Sequence, residues 1–246
     1  MEKLYDAEEV DAQMGVWKNA VDKDGVVRFE KPYSKKIMAV FKNDEVKRAM
    51  TIGFVVQLVS HFSGYNAILY YKPTIIKLAT CSTGICSLTS SITLSLIGPF
   101  LSLFIIDRWG RTRVMAITLT IIAIVFFYLA LILYTHPKHL GFVPIILLEC
   151  YSVVYYPGTV TTPWVVNAEV YPLPFRGFGG GLSVSVNAIA GGLINFFFVP
   201  VTKAIGPGGT FMIYCCLSLF GLVLIYVFVP ETKGLPLGQV GGKAKL

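Results

Sequence analysis

The sequence predicts an all-α membrane protein built as a six-transmembrane-helix bundle, and three observations carry that expectation. Of 246 residues, 54% are hydrophobic and 14% charged, whereas a soluble domain carries charge at about a quarter of its positions. The apolar residues fall in runs near the roughly twenty residues that cross a bilayer: 49–71, 85–106, 114–134, 142–166, 178–200 and 209–229. The basic residues are biased to one side of those runs. Lys35, Lys36, Lys42, Lys47 and Arg48 precede the first, Arg108, Arg111 and Arg113 follow the second, Arg176 follows the fourth and Lys233 the sixth; the other side has Lys72, Lys77, Lys138 and Lys203. The positive-inside rule then predicts both termini in the cytoplasm. The net charge of +7 is read as topology, and no nucleic-acid partner is expected.

This pattern divides the chain into a cytoplasmic segment (1–48), the bundle (49–229) and a cytoplasmic tail (230–246). In the first, Leu4, Ala7, Val10, Met14 and Trp17 recur near helical spacing and Asp22-Lys23-Asp24-Gly25 reads as a turn; a disordered tail is the alternative. The acidic start lacks an apolar signal-peptide core, so no cleavable signal is expected.

The first span holds Gln57, Ser60, His61, Ser63, Gly64 and Asn66. Gln57 and His61 are four apart and share a helix face. Polar side chains in lipid are costly and face a cavity or another helix; Gly64 can loosen the helix there. Both readings, solute cavity and interhelical packing, stand at this point.

The second span is Ser/Thr-rich in its first half. The fourth carries Pro157, Gly158, Thr159, Thr161, Thr162, Pro163 and Trp164. Two prolines six apart must interrupt the hydrogen-bond ladder, and a broken span with hydroxyls and an aromatic is how solute sites are built; Trp164 as an interfacial anchor is the other reading. In the same span Glu149 reads as a proton-carrying or gating carboxylate, or as one reaching the headgroups. The fifth span places Ser183, Asn187 and Gly191 on one face, for ligand contact or for helix packing.

Cys150, Cys215 and Cys216 fall inside spans as small packing residues, while Cys81 and Cys86 flank an outward loop where a local disulfide is one option. No metal-spaced histidine cluster, nucleophile elbow or phosphate loop is present, so neither enzyme chemistry nor a cofactor is expected.

Three charged segments join or follow the spans: Asp107-Arg108-Trp109-Gly110-Arg111-Thr112-Arg113, the stretch Asn167 to Gly177 with Glu169 and Arg176, and Pro230-Glu231-Thr232-Lys233-Gly234. Glu169 is a natural partner for the arginines. A network of Asp107, Arg108, Arg111, Glu169, Arg176 and Glu231 can latch the inner helix ends.

Together these segments resemble the sugar porter branch of the major facilitator superfamily. That branch has an acidic-Arg-x-Gly-Arg motif after its eighth span, Glu-x-Tyr-Pro-x-x-x-Arg-Gly after its tenth and Pro-Glu-Thr-Lys-Gly after its twelfth. Ser63-Gly64-Tyr65-Asn66 through Tyr70-Tyr71 resembles its seventh-span signature. The stretch from Pro163 to Gly181 looks most like the myo-inositol and polyol transporters.

The resemblance implies the C-terminal half of a major facilitator fold, spans seven to twelve. It implies alternating-access transport of a sugar or polyol, facilitative or coupled to protons as a symporter, in a plasma or vacuolar membrane. The alternative is a truncated, non-transporting paralogue or an assembly partner of another transporter. A missing N-terminal half, or self-association, would complete the pocket in the bilayer. By motif offset the implied substrate contacts are Gln57, His61, Asn66, Ser95, Trp164 and Asn187. Ser60-His61 replaces the family's paired glutamines, Ser95 its eighth-span asparagine, and Ala188 the Trp after its eleventh-span Asn; these departures weaken hexose recognition more than they weaken the fold.

Overall fold

The computed structural model describes residues 14–15, 44–78, 96–135, 142–172 and 175–231. The N-terminal helix, the Cys81–Cys86 pair, Ser95, the first half of the second span and the tail beyond Glu231 lie outside the described residues. Every regular element among the described residues is helical. Glu45 onward forms one compact unit.

Helix α1 (Asp44–Ser60) runs into a tight turn, His61–Ser63, and α2 (Tyr65–Leu78). The break is built into Gly64. Its φ is +63°, in the left-handed region that glycine enters without steric cost. A Cβ there would also lie 2.7 Å from the Phe126 ring. The break frees backbone carbonyls inside the bundle, where each needs a donor. Ser218 Oγ donates to Phe62 O at 3.1 Å and the Tyr151 hydroxyl to Ser63 O at 3.1 Å.

Helix α3 (Gly98–Trp109) ends at Gly110, φ +91°, and α4 (Arg111–Thr135) crosses the centre of the unit. Helix α5 (Val143–Tyr155) continues through one π-helical turn, Tyr156–Thr161, into α6 (Thr162–Glu169). Pro157 and Pro163 cannot donate to the ladder, so the predicted interruption takes the form of this wide turn, with Thr162 Oγ1 bonding back to Pro157 O at 2.5 Å. Gly158 lies against α4 so closely that a Cβ would sit 1.7 Å from Thr118 Oγ1. This is how a small residue lets backbones approach.

The last element, α7 (Arg176–Phe228), is one trace broken at Gly206 (φ 75°, ψ 178°). Residues before proline avoid helical geometry, and Gly206 precedes Pro207. In a continuous helix Phe198 and Tyr214 would be about 24 Å apart. Their rings are 6.4 Å apart, and Thr210 Oγ1 meets Thr202 Oγ1 at 3.4 Å. The element is therefore a helical hairpin with arms 176–205 and 207–228, each long enough to cross about 30 Å of hydrocarbon.

Among the described residues, four helical stretches are long and apolar enough to cross a membrane: Asp44–Lys77, Arg111–Thr135, Val143–Glu169 and Arg176–Phe228. With the hairpin counted as two arms these match five of the six predicted runs. The sixth, 85–106, is described only from Leu96, and its helical part α3 is 12 residues long. The core lies around α4, where Phe126, Leu129 and Ile122 pack with Ile68, Tyr71, Tyr151, Phe211 and Tyr214. Large apolar side chains such as Phe100, Phe104, Phe196 and Tyr226 face outward, as lipid contact requires.

Candidate solute site and charged latch

The candidate site rests on the register between two helices that are far apart in sequence. The first arm of α7 lies parallel to α1, and successive rungs advance four residues on each. At Gly53, an added Cβ would lie 2.7 Å from Ser183 Oγ and 2.1 Å from the Tyr171 hydroxyl, and Tyr171 and Ser183 hydrogen-bond at 2.5 Å. At the next rung Asn187 Nδ2 donates to Gln57 Oε1 at 2.8 Å, with Ser60 Oγ at 3.2 Å and Gln57 O at 3.4 Å. At the third, His61 fits against Gly191, where a Cβ would come 2.8 Å from Cε1. His61 Nε2 donates to the Asn187 carbonyl at 2.9 Å; the carbonyl can only accept, which fixes the proton on that nitrogen.

The fourth rung is Asn66 with Asn195, the Asn66 amide donating to Asn195 Oδ1. Here α1–α2 advances five residues and α7 four, and the turn at Gly64 absorbs the extra residue. Above it Tyr70 and Phe198 meet edge to face at 5.4 Å.

Gln57 is buried, His61, Asn66 and Asn187 are half-buried, and Asn195 is exposed. The structure thus brings Gln57, His61 and Asn187 into one cluster and sets Asn66 one rung away on the same row. Trp164 stands apart on α6 and is 48% exposed. No hydrogen bond or ring contact joins it to this row among the described residues. Ser95 lies outside them. Sequence reasoning missed Asn195, Tyr171 and the stacked Tyr65–Tyr155 pair, with centroids 4.9 Å apart. The signal for Asn195 was present, since it follows Asn187 by eight residues and so repeats its face.

A second constellation sits where α3, α4 and α6 end. Arg111 Nη2 reaches Glu169 Oε1 at 2.8 Å and Asp107 Oδ1 at 3.4 Å. Its backbone N–H donates to Glu231 Oε1 at 2.8 Å, and Thr112 Oγ1 to Pro230 O at 3.1 Å. Gly110 makes room for Glu231: a Cβ there would lie 2.6 Å from Oε2. The Arg111 and Glu169 side chains are 14% and 20% exposed, Asp107 80%. Arg108 is exposed at the surface of α3. Arg176 opens α7, with Nε and Nη2 buried and lacking hydrogen-bond partners among the described residues. Glu149, on α5, is half-buried, and its Oε1 likewise has no hydrogen-bond partner among them.

The protein-family model described as "Sugar (and other) transporter" matches residues 2–242. Inositol transporter 4 of Arabidopsis thaliana is 27% identical over 330 residues, covering 98% of this chain and 57% of that protein. Membrane transporter D1 of Leishmania donovani is 32% identical over 195 residues, covering 75% of this chain and 35% of its own. Among solved structures, the major facilitator proton:xylose symporter XylE bound to 6-bromo-6-deoxy-D-glucose superposes with a TM-score of 0.67 at 25% identity, covering 80% of this chain and 42% of that one. The chain spans about half the length of the curated relatives it matches.

Proposed function

The chain belongs to the sugar transporter family, on the major facilitator fold, and on that premise we propose that it forms one wall of a polyol or sugar pathway working by alternating access. One observation carries the reading: the row of amides and imidazole along α1, α2 and the first arm of α7. Such groups inside an apolar bundle are costly unless they meet each other, water or a hydroxylated solute. Amides both donate and accept, which suits hydroxyl recognition.

In this reading six spans cross the bilayer with both termini cytoplasmic. The latch around Arg111 closes the inner end, and Gln57, His61, Asn66 and Asn187 line the path, with Ser95 and Trp164 contributing from other spans. The facing wall comes from further helices, either a second set of six or another copy of this chain. An inositol-like polyol fits best, by likeness to the inositol transporters. Proton coupling is drawn from the relatives named galactose-proton symporter and proton:xylose symporter.

A second reading, a non-transporting assembly partner, has one observation in its favour: Asn187 spends its amide hydrogens on Gln57 and Ser60 within the chain. Uptake of labelled myo-inositol into vesicles holding the purified chain separates the two. Saturable uptake that is lost in Asn187→Ala supports the pathway. Uptake that needs a co-expressed partner half and is lost in Asn187→Ala also supports the pathway, whereas no uptake with or without that half, or uptake indifferent to Asn187→Ala, supports the second.

A further inference from the structure

We propose that Asn195 is a solute-binding residue, which with Asn66 forms the rung that reads a pair of neighbouring hydroxyls on the polyol; this rests on the pathway reading above and deepens it. The rungs are not equivalent. Accessibility opens along the row: Ser183 and Gln57 are fully buried, His61, Asn187 and Asn66 half-buried, and Asn195 exposed. Apart from Gln57 Nε2, which is buried without a hydrogen-bond partner among the described residues, the bonding capacity opens in the same direction. Tyr171 and Ser183 satisfy each other. Asn187 commits its amide group to Gln57 and Ser60, and its backbone carbonyl to His61.

Asn66 and Asn195 share one hydrogen bond. A carboxamide carries two donors and an acceptor oxygen with two lone pairs, so that single bond leaves both Asn195 amide hydrogens and the Asn66 carbonyl oxygen uncommitted to each other. A donor beside an acceptor is what two adjacent hydroxyls require, one accepting and the other donating. The rung is also placed where a ring can lie against it, because Tyr70, four residues beyond Asn66, is half exposed and packs on Phe198, three beyond Asn195. An exposed carboxamide in a span is unfavourable toward lipid, which is the physical reason for this face to meet a wet pathway.

The experiment measures equilibrium binding of myo-inositol and of single-deoxy inositols to the purified chain in nanodiscs, alone and with a co-expressed partner half, for wild type, Asn195→Ala and Asn195→Gln. The expected result is that Asn195→Ala weakens myo-inositol binding about tenfold, the worth of about one hydrogen bond to a hydroxyl. The same variant should stop discriminating against one particular deoxy-inositol that wild type rejects, and Asn195→Gln should restore part of both. A residue that only packs would weaken all ligands alike. Binding unchanged in Asn195→Ala, or weakened equally for every analogue, overturns the assignment and leaves the pathway reading standing. Wild-type chain that binds none of the inositols, either alone or with a co-expressed partner half, overturns the pathway reading and this rung with it.

Discussion

The charged latch and the polar row hold helices together by opposite means. At the latch a single guanidinium gathers two carboxylates within 3.4 Å, and its own backbone N–H takes a third. Along the row the contacts are amide, hydroxyl and imidazole hydrogen bonds, interleaved with glycines that let side chains reach the opposite backbone. Charge suits helix ends, where water lowers the cost of ionisation. Inside the bundle desolvating a formal charge is too costly, and weaker bonds repeated at a fixed register do the work. A latch of few strong bonds can open as a unit, whereas many weaker bonds keep the row's helices aligned; in the proposed pathway the row would exchange single partners for a solute.

This contrast breaks most readily at Arg111. Arg111→Ala removes the guanidinium that lies 2.8 Å from Glu169, in a site where both side chains are largely covered. Severing a fully buried pair costs about 3–5 kcal/mol; partial exposure reduces the expected loss to about 2–3 kcal/mol, read from the unfolding midpoint in detergent. Asp107→Ala, on a carboxylate that is 80% exposed, should leave that midpoint unchanged, since exposed pairs contribute little. Equal losses in the two variants would mean that the latch is not centred on Glu169.

The closed end of the row should give the next largest effect. Gly53→Ala drives a methyl into the Tyr171 hydroxyl, and overpacking of this kind costs about 1–3 kcal/mol. Adding Tyr171→Phe removes the oxygen nearest that methyl and should recover part of the loss. A double variant no more stable than Gly53→Ala would show that the clash is relieved elsewhere.

The two regions also differ in how much of them the sequence revealed. Motif spacing exposed the latch residues, because Asp107, Arg111 and Glu169 sit at the ends of α3, α4 and α6, where opposite charges on neighbouring helices can pair. The break at Gly64 and the interruption at Pro157 were legible from backbone chemistry alone, although a π-helical turn was not foreseen. The hairpin was legible as two apolar runs around Gly206-Pro207. The row was only half legible. Helical period placed Ser183, Asn187 and Gly191 together, and Gln57 with His61, but nothing local says which faces meet across 130 residues of sequence. Trp164 shows the same gap from the other side: motif offset groups it with His61, and no hydrogen bond or ring contact joins it to the row among the described residues.

Within the row, the Gln57–Asn187 bond can be tested for mutual dependence. Asn187→Ala strands Gln57 Oε1 in a buried position, where an unsatisfied acceptor costs about 1–3 kcal/mol; the loss should fall near the lower end because Asn187 is only half-buried. Gln57→Leu removes the acceptor together with Nε2, which has no partner among the described residues. The double variant should therefore be less destabilised than the sum of the singles, as contacting residues require. Additive losses would show that the two side chains act independently.

Trp164 should give the smallest change in stability and thereby define the edge of the row. It is 48% exposed, and surface substitutions without a special partner stay within about 0.5 kcal/mol. Trp164→Phe should leave the unfolding midpoint where it is. Its effect on solute binding is separate: an indole lining the path offers an N–H donor and a broad face to a ring, so binding should weaken several-fold with stability unchanged. Unaltered binding would confine the solute to the face shared by α1, α2 and the first arm of α7. Lost stability would instead make Trp164 a packing residue of α6, and the pathway would then end at Asn66 and Asn195.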